Sequence, residues 1–458
     1  MSLTDAVVIG GGIAGLATAY ELRSRGRSVR LLESRARAGG VMVTERAGGW
    51  VIDGGPDSLL VQKPAALALC RELGLDGQLA GTLPPRTAYV LRAGRLHALP
   101  EGSFLGFPLT ARALAASSLF SLAGKARVAV EVVLPAGDGG EDESVASFVR
   151  RRFGQEAVDY LAEPLLAGIH AGDVDRLSVR ALFPRLREAE RTAGSVIRSF
   201  RRLHTTPSTR GAFVSFPGGI AVLADAVADA LGSPVVTTNA PVRAVRVNGH
   251  FIVESDAGQV EARAVVFATP AYVTSALVRP LDATLASLCE AIPYASTATV
   301  AFGFRREQVA HPLHGTGFVV PRAEGRALLA GTWVSSKWPG RAPDGHVLIR
   351  GFFGGGRDPN RLRADDQTLV ATALAEFGPL LGIAGDPLFS RVFRWTRQSP
   401  QYEVGHLDRV ARIERRLAAL PGLFVTGSGF RAVGIPDCIA DGRDVARCVA
   451  DFLDTRPT

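Results

Sequence analysis

Gly10, Gly12 and Gly15 form G-x-G-x-x-G directly after the apolar run Ala6–Ile9, a spacing suited to cradling the pyrophosphate of a dinucleotide. The first glycine makes a tight turn, the second lets backbone approach phosphate, and the third lets helix and strand pack closely. The helix that follows would aim its N-terminal N–H groups, at the positive end of its dipole, toward the phosphates. Glu33 stands 23 residues after Gly10, at the end of the next apolar run, where a carboxylate accepts hydrogen bonds from an adenosine ribose. An acid at that place disfavours a 2′-phosphate.

Further on, Arg37 and the doublet Gly39-Gly40 follow the acid, and Asp53-Gly54-Gly55 leads into Pro56, Asp57 and Ser58. Glycines that bring backbone close to one extended ligand describe a channel longer than NAD requires. Gly48-Gly49, by contrast, reads as a hairpin turn. No Ser-His-Asp triad, metal-ligand cluster or paired carboxylate stands out, as expected when a bound cofactor carries the chemistry.

Positioning these groups requires a strand ending at Ile9, a helix after the glycine turn, and a second strand closing at Glu33. The chain is 458 residues, enough for two or three domains, and 47% hydrophobic with 21% charged residues, an ordinary globular composition. Its net charge of +8 is spread without a long basic block, and aromatics are 7%, so acidic ligands or an anionic surface are favoured over nucleic acid. Cys70, Cys289, Cys438 and Cys448 form no C-x-x-C pair, which predicts reduced thiols in a cytosolic setting. Met1 leads straight into the first strand, which leaves no room for a signal peptide, and no run of about 18 apolar residues predicts a spanning helix.

Along the chain, the pattern predicts a helix over 64–79, a hairpin from 88–91 to 96–99, and helix over 109–134. This last segment suits a helix lying on an anionic leaflet as well as one packed inside a domain. Ser144 and Ser147 offer N-cap chemistry. Six arginines between 187 and 210 suggest a solvated face with a loop at Thr205–Thr209. A glycine turn at Gly218-Gly219 opens a helix to 231, and strands follow at 235–237, 242–247, 251–255 and 264–269. Further strands are expected at 295–304, 317–321 and 388–394, a loop with two tryptophans at 332–341, and a helix at 365–381. The stretch 395–409 and the block 422–442 would close the cofactor domain, with a strand reaching Gly427 and a last helix from about Pro436.

Glu33, then R-x-G-G at Arg37–Gly40 and G-P-x-S at Gly55–Ser58, resembles the flavoproteins with two dinucleotide-binding domains: monoamine oxidases, phytoene desaturases and protoporphyrinogen oxidases. Within that superfamily, G-I-H-A-G-D-V-D-R-L-S from Gly168 and F-P-R-L from Phe183 are similar to the porphyrinogen oxidase family, with His170 where the family generally has Tyr or Phe. The resemblance covers nearly the whole chain. It implies an α/β (α+β overall) architecture: a Rossmann-like FAD-binding domain from 1–83, 211–290 and 420–458, a mixed-sheet substrate domain from 84–104 and 291–419, and a helical, potentially membrane-associating subdomain at 105–210.

The resemblance further implies FAD held by Gly10, Gly11, Gly12, Ile13, Ala14, Gly15, Glu33, Ser34, Arg37, Gly39 and Gly40. It adds Gly55, Pro56, Asp57 and Ser58, then Val242, Trp395, Gly427, Val433, Gly434 and Ile435. Substrate would meet Arg86 through a propionate, Gly168 through backbone, Val319 as an aliphatic wall and Phe352 by stacking on a pyrrole. The implied reaction is oxidation of a porphyrinogen to a porphyrin by FAD and O₂ in heme biosynthesis, with no catalytic side chain and no metal. Coproporphyrinogen III and protoporphyrinogen IX both remain open, G-I-P-D-C-I at Gly434–Ile439 leaning to the former. So do an amine oxidase or desaturase of the superfamily, a non-catalytic FAD-binding protein, monomer or homodimer, peripheral membrane contact at the inner face, and transient contact with the next heme-pathway enzyme.

Overall fold

A computed structural model describes residues 3–100, 103–137, 140–202 and 211–455. Its organising unit is β1 (Thr4–Ile9), α1 (Ile13–Ser24) and β2 (Val29–Leu32). β1 lies between two parallel neighbours, Val8 facing Leu31 on one side and Val266 on the other. Ala6–Ile9 are all buried because both sheet faces are covered, so the strand reads as a continuous apolar run. Across this sheet the order is 236–237, 29–32, 4–9, 258–267, 250–255 and 242–248, with 423–425 pairing the end of 258–267.

The helix Ile435–Thr455 packs on α1. Thr18 Oγ1 donates to the Gly442 carbonyl at 3.0 Å, and a Cβ at Gly442 would sit 2.5 Å from the Ala14 carbonyl oxygen. Only glycine permits that crossing, which fixes the N-terminal end of α1 over the sheet.

A second seven-stranded sheet runs 389–400, 294–305, 346–354, 330–333, 317–319, 88–92 and 95–98. It is antiparallel apart from the pair of 317–319 with 88–92. Val300, Phe302, Phe318, Phe353 and Phe377 form a core on one face, under the helix Asp366–Leu381. Because side chains alternate, Phe352 points away from that core toward the opposite face.

The helical region between 111 and 202 is locked by a buried ionic centre. Glu131 accepts from Arg152 Nη2 at 2.5 Å, from Ser195 Oγ at 2.6 Å and from the Val196 N–H at 2.8 Å.

Several expectations need correction. The stretch 109–134 is two helices, Ala111–Ala116 and Leu122–Ala129, because Thr110 and Ser121 each cap a new N-terminus. Helix Pro64–Glu72 ends earlier than expected, before a short 3₁₀ turn at Asp76–Gln78. The expected loop at 332–341 begins with strand Ala330–Trp333 and helix Val334–Lys337, and Trp333 and Trp338 are core residues. The strand expected to stop at 394 continues to Pro400 along Tyr294–Arg305, so Trp395 belongs to the second sheet; helix His406–Ala418 follows. In the arginine-rich segment Glu190 is buried against Arg151. The loop expected at Thr205–Thr209 lies outside the described residues. Among the described residues no helix is long and apolar enough to cross a membrane.

Candidate functional site: a dinucleotide cradle

The glycine turn between β1 and α1 is built for a ligand. Gly10 has φ +107, and a Cβ there would lie 2.7 Å from the Ala268 carbonyl oxygen; a Cβ at Gly15 would strike Gly10 itself at 2.0 Å. These two are glycines for the fold. A Cβ at Gly12 would meet nothing within 4 Å, so this position opens onto free space beside the N-terminus of α1, beginning at Ile13 and Ala14. That is where a pyrophosphate fits: backbone can approach it and the helix N–H groups face it.

Glu33 is buried at the end of β2, and its Oε2 accepts from the Gly11 N–H at 2.6 Å. Its Oε1 accepts from the Arg35 N–H at 2.9 Å and from Ser34 Oγ at 3.2 Å. The carboxylate thus ties the turn to the second strand while keeping the acceptor capacity a ribose requires. Ala240 N–H donates to the Glu33 carbonyl at 2.8 Å, which brings the strand starting at Val242 alongside the same edge.

Arg37, an expected cofactor contact, is engaged with its own loop. It donates to the carbonyls of Ala38, Gly40 and Met42 at 2.9, 2.6 and 3.2 Å and so shapes its own loop. Gly39 N–H donates to the Gly11 carbonyl at 2.7 Å, and a Cβ at Gly40 would lie 3.2 Å from Gly12 Cα, so the doublet lies against the glycine turn.

Asp57, another expected cofactor contact, is engaged with cations of the second sheet region. It is buried against Lys337 Nζ at 3.0 Å and Arg350 Nη2 at 3.2 Å, with Ser58 also bonded to it. Burial alone would raise its carboxyl, but Lys337 and Arg350 hold it well below the usual carboxylate range. Arg350 also donates to the Asp53 carbonyl at 2.5 Å and the Gly55 carbonyl at 3.0 Å, so one guanidinium fixes the loop running through Pro56. Trp395 Nε1 donates to the Gly54 carbonyl at 2.9 Å from the far strand of the second sheet.

At the C-terminal end, the Gly427 N–H donates to Asp441 Oδ2 at 2.8 Å, and a Cβ on Gly427 would be 3.3 Å from Ala14 Cβ. This segment therefore borders the start of α1. Val433 and Gly434, with φ +93, lead into the helix that opens at Ile435, a second positive N-terminus.

Two of the four expected substrate residues, Val319 and Phe352, share one sheet face. Val90, Val319, Ala330, Phe352 and Thr299 follow one another in register across five strands. Val90 and Val319 pack into the helical region's core, whereas Thr299 Oγ1 donates to the Gly54 carbonyl at 2.8 Å. The row therefore runs from the helical region to the cofactor loop with Phe352 between them, its ring 4.8 Å beneath the Arg350 guanidinium.

Gly168 lines a cavity with Glu163, Val320, Gly354 and Arg357, where the strands 317–319 and 346–354 end. Arg86 is exposed two residues ahead of the strand that carries Val90, with Nε donating to the Thr82 carbonyl and hydroxyl, both at 3.0 Å. His170 packs edge-on against Phe183 at 5.6 Å, and burial, aided by Lys63, pushes it down to about 4. It is a neutral ring at neutral pH.

Sequence reasoning missed Arg350, Lys337, Arg341 and Glu163. A lone arginine inside the apolar strand V-L-I-R-G-F-F was the available signal, since a buried cation requires partners. Glu163 carried none.

Residues 13–450 match the family model described as flavin containing amine oxidoreductase. The chain is 34% identical to the coproporphyrinogen III oxidase of Bacillus subtilis, covering 98% of each chain. It is 30% identical to the chloroplastic protoporphyrinogen oxidase of Nicotiana tabacum, over 98% of this chain and 86% of that one. A crystal structure of an Exiguobacterium protein, 31% identical, superposes with a TM-score of 0.88 over 99% of this chain and 100% of the other. The open Gly12 cradle, the buried Glu33 and the family match agree: the chain belongs to the flavin containing amine oxidoreductases and uses FAD.

Proposed function

We propose that this enzyme oxidises a porphyrinogen to the corresponding porphyrin, with coproporphyrinogen III as the preferred substrate. The observation that carries the reading is the cross-strand row ending at the cofactor loop, in a chain similar over nearly its full length to named porphyrinogen oxidases. An apolar floor of Val319, Ala330 and Phe352 suits a flat macrocycle better than a small amine.

In this reading FAD is bound by residues within 1–83, 211–290 and 420–458, the substrate by 84–104 and 291–419, and 105–210 covers the cleft. Gly12 and the first turn of α1 hold the pyrophosphate, Glu33 the ribose, and Val242 the adenine by its backbone. When bound, the flavin accepts hydride from a methylene bridge and passes the electrons to O₂ as hydrogen peroxide, three rounds giving the six-electron oxidation. Phe352 stacks on one pyrrole, Val319 closes the apolar wall, and backbone at Gly168 faces the ring. Arg86 orients the macrocycle through a propionate, and placement by such remote contacts supplies part of the rate. The basic balance of the chain favours an acidic substrate.

The test is to mix the purified yellow enzyme anaerobically with coproporphyrinogen III and, separately, protoporphyrinogen IX. Bleaching of the flavin, followed by porphyrin fluorescence when air is admitted, is the expected result. A flavin that neither substrate bleaches, but an amine does, overturns the reading.

A further inference from the structure

One half-buried carboxylate beside Gly168 has no place in the roles assigned so far. Glu163 lies in Val158–Ala167, ten residues wound as a π-helix and containing Pro164. Such windings are rare and often mark functional sites, because they displace side chains from ordinary helical positions. Here the segment brings Glu163 into the same cavity wall as Gly168, beside Gly354 and Val320 from the second sheet.

Its two oxygens are unequally engaged. Oε2 accepts from the Arg322 N–H at 2.8 Å. Oε1 has no hydrogen-bond donor among the described residues; its nearest cation is Arg357 Nη1 at 3.7 Å. Arg357 spends its own donors on the carbonyls of Val320, Pro321 and Arg326, at 2.7, 3.3 and 3.2 Å. The carboxylate is therefore anchored through Oε2, while Oε1 keeps its acceptor capacity.

We propose that Glu163 accepts the ring N–H proton that a porphyrinogen must release each time an adjacent methylene carbon is oxidised. This rests on the functional reading above. Departure of hydride carries the C–H electron pair to the flavin and leaves a cation delocalised onto the ring nitrogen. The N–H bond then breaks, its electron pair stays on nitrogen and neutralises the ring as an imine, and the proton forms the O–H of Glu163. Release of that proton to water restores the carboxylate for the next round.

The charged groups facing Glu163 are consistent with a base. Burial is the largest influence and raises its carboxyl above the ordinary range; Arg357 and Arg322 oppose this, and Asp173 adds to it. A carboxyl placed so is closer to neutrality than one in water, as an acceptor that must give its proton back requires.

Glu163→Gln separates a base from a structural anchor, because the amide oxygen still accepts from the Arg322 N–H while the proton acceptor is lost. With loaded holoenzyme and coproporphyrinogen III, kcat is expected to fall about 100-fold. FAD content, KM and binding of the porphyrin product, read by fluorescence titration, should hold. The wild-type kcat should rise with pH through the Glu163 titration, and that acid limb should vanish in the variant. A variant with wild-type kcat, one that keeps the acid limb, or one in which KM rises while kcat holds overturns the proposal while leaving the functional reading intact. A wild-type enzyme inert toward both porphyrinogens overturns both.

Discussion

Replacing Glu33 with alanine strikes the cofactor cradle at one defined point. In the folded protein the carboxylate accepts the Gly11 N–H at 2.6 Å and the Arg35 N–H at 2.9 Å, which leaves lone pairs for the proposed ribose bond. Hydrogen bonds to a charged group contribute about 1.5–3 kcal/mol each. Loss of the ribose bond alone weakens FAD binding by roughly tenfold to hundredfold, since about 1.4 kcal/mol corresponds to a factor of ten. The orphaned Gly11 N–H acts on the same turn, so its cost overlaps the first and does not simply add. Titration of apoprotein with FAD, followed by quenching of flavin fluorescence, measures the affinity. Turnover at saturating FAD then measures the loaded enzyme, which should remain close to wild type because Glu33 lies at the adenosine end. Unchanged FAD affinity, or a fully loaded variant that turns over poorly, would refute the reasoning.

Arg86→Ala should raise KM by about fivefold, the roughly 1 kcal/mol of an exposed ion pair, with lysine rescuing part and FAD content unchanged. Equal kcat/KM for variant and wild type in steady-state kinetics removes Arg86 from the site. Arg350→Met should lose about 3–5 kcal/mol of stability, because buried Asp57 loses one of its two cations and the Asp53 and Gly55 carbonyls lose their donor. Denaturant unfolding reads that loss, and weaker flavin retention should accompany it. His170 is held near 4 by burial, so the unfolded chain binds more protons between about pH 6.5 and 4, and stability falls as pH drops through that window. His170→Phe should flatten part of this acid slope in thermal melts; His406, also pushed to about 4, preserves the rest.

Much of the cofactor site was legible because its determinants are local. A glycine turn between a buried strand and a helix leaves a fixed spacing, and an acid one strand later lands beside it through the β-α-β connection. The hairpin at Gly48-Gly49, with φ +57 and +81, was equally local. Helix 109–134 misled because composition favours helix throughout, while two capping side chains, Thr110 and Ser121, restart it. Composition does not register where a new N-terminus begins.

The amino-acid sequence by itself determined the dinucleotide turn, its acid partner and the strand that buries them, since each depends on neighbours within one supersecondary unit. Only tertiary structure decided that Arg37 and Asp57 shape loops, because their partners are backbone carbonyls and cations contributed by a folded loop and a distant strand. Lys337 and Arg350 reach Asp57 across nearly 300 residues of chain, at separations of 280 and 293. The row from Val319 to Phe352 likewise exists only once three strands pair in register, and Glu163 comes to share a cavity with Gly168 and Gly354 only through an unusually wound helix. Sequence specifies contacts made along the chain; contacts between the two sheets are a property of their packing.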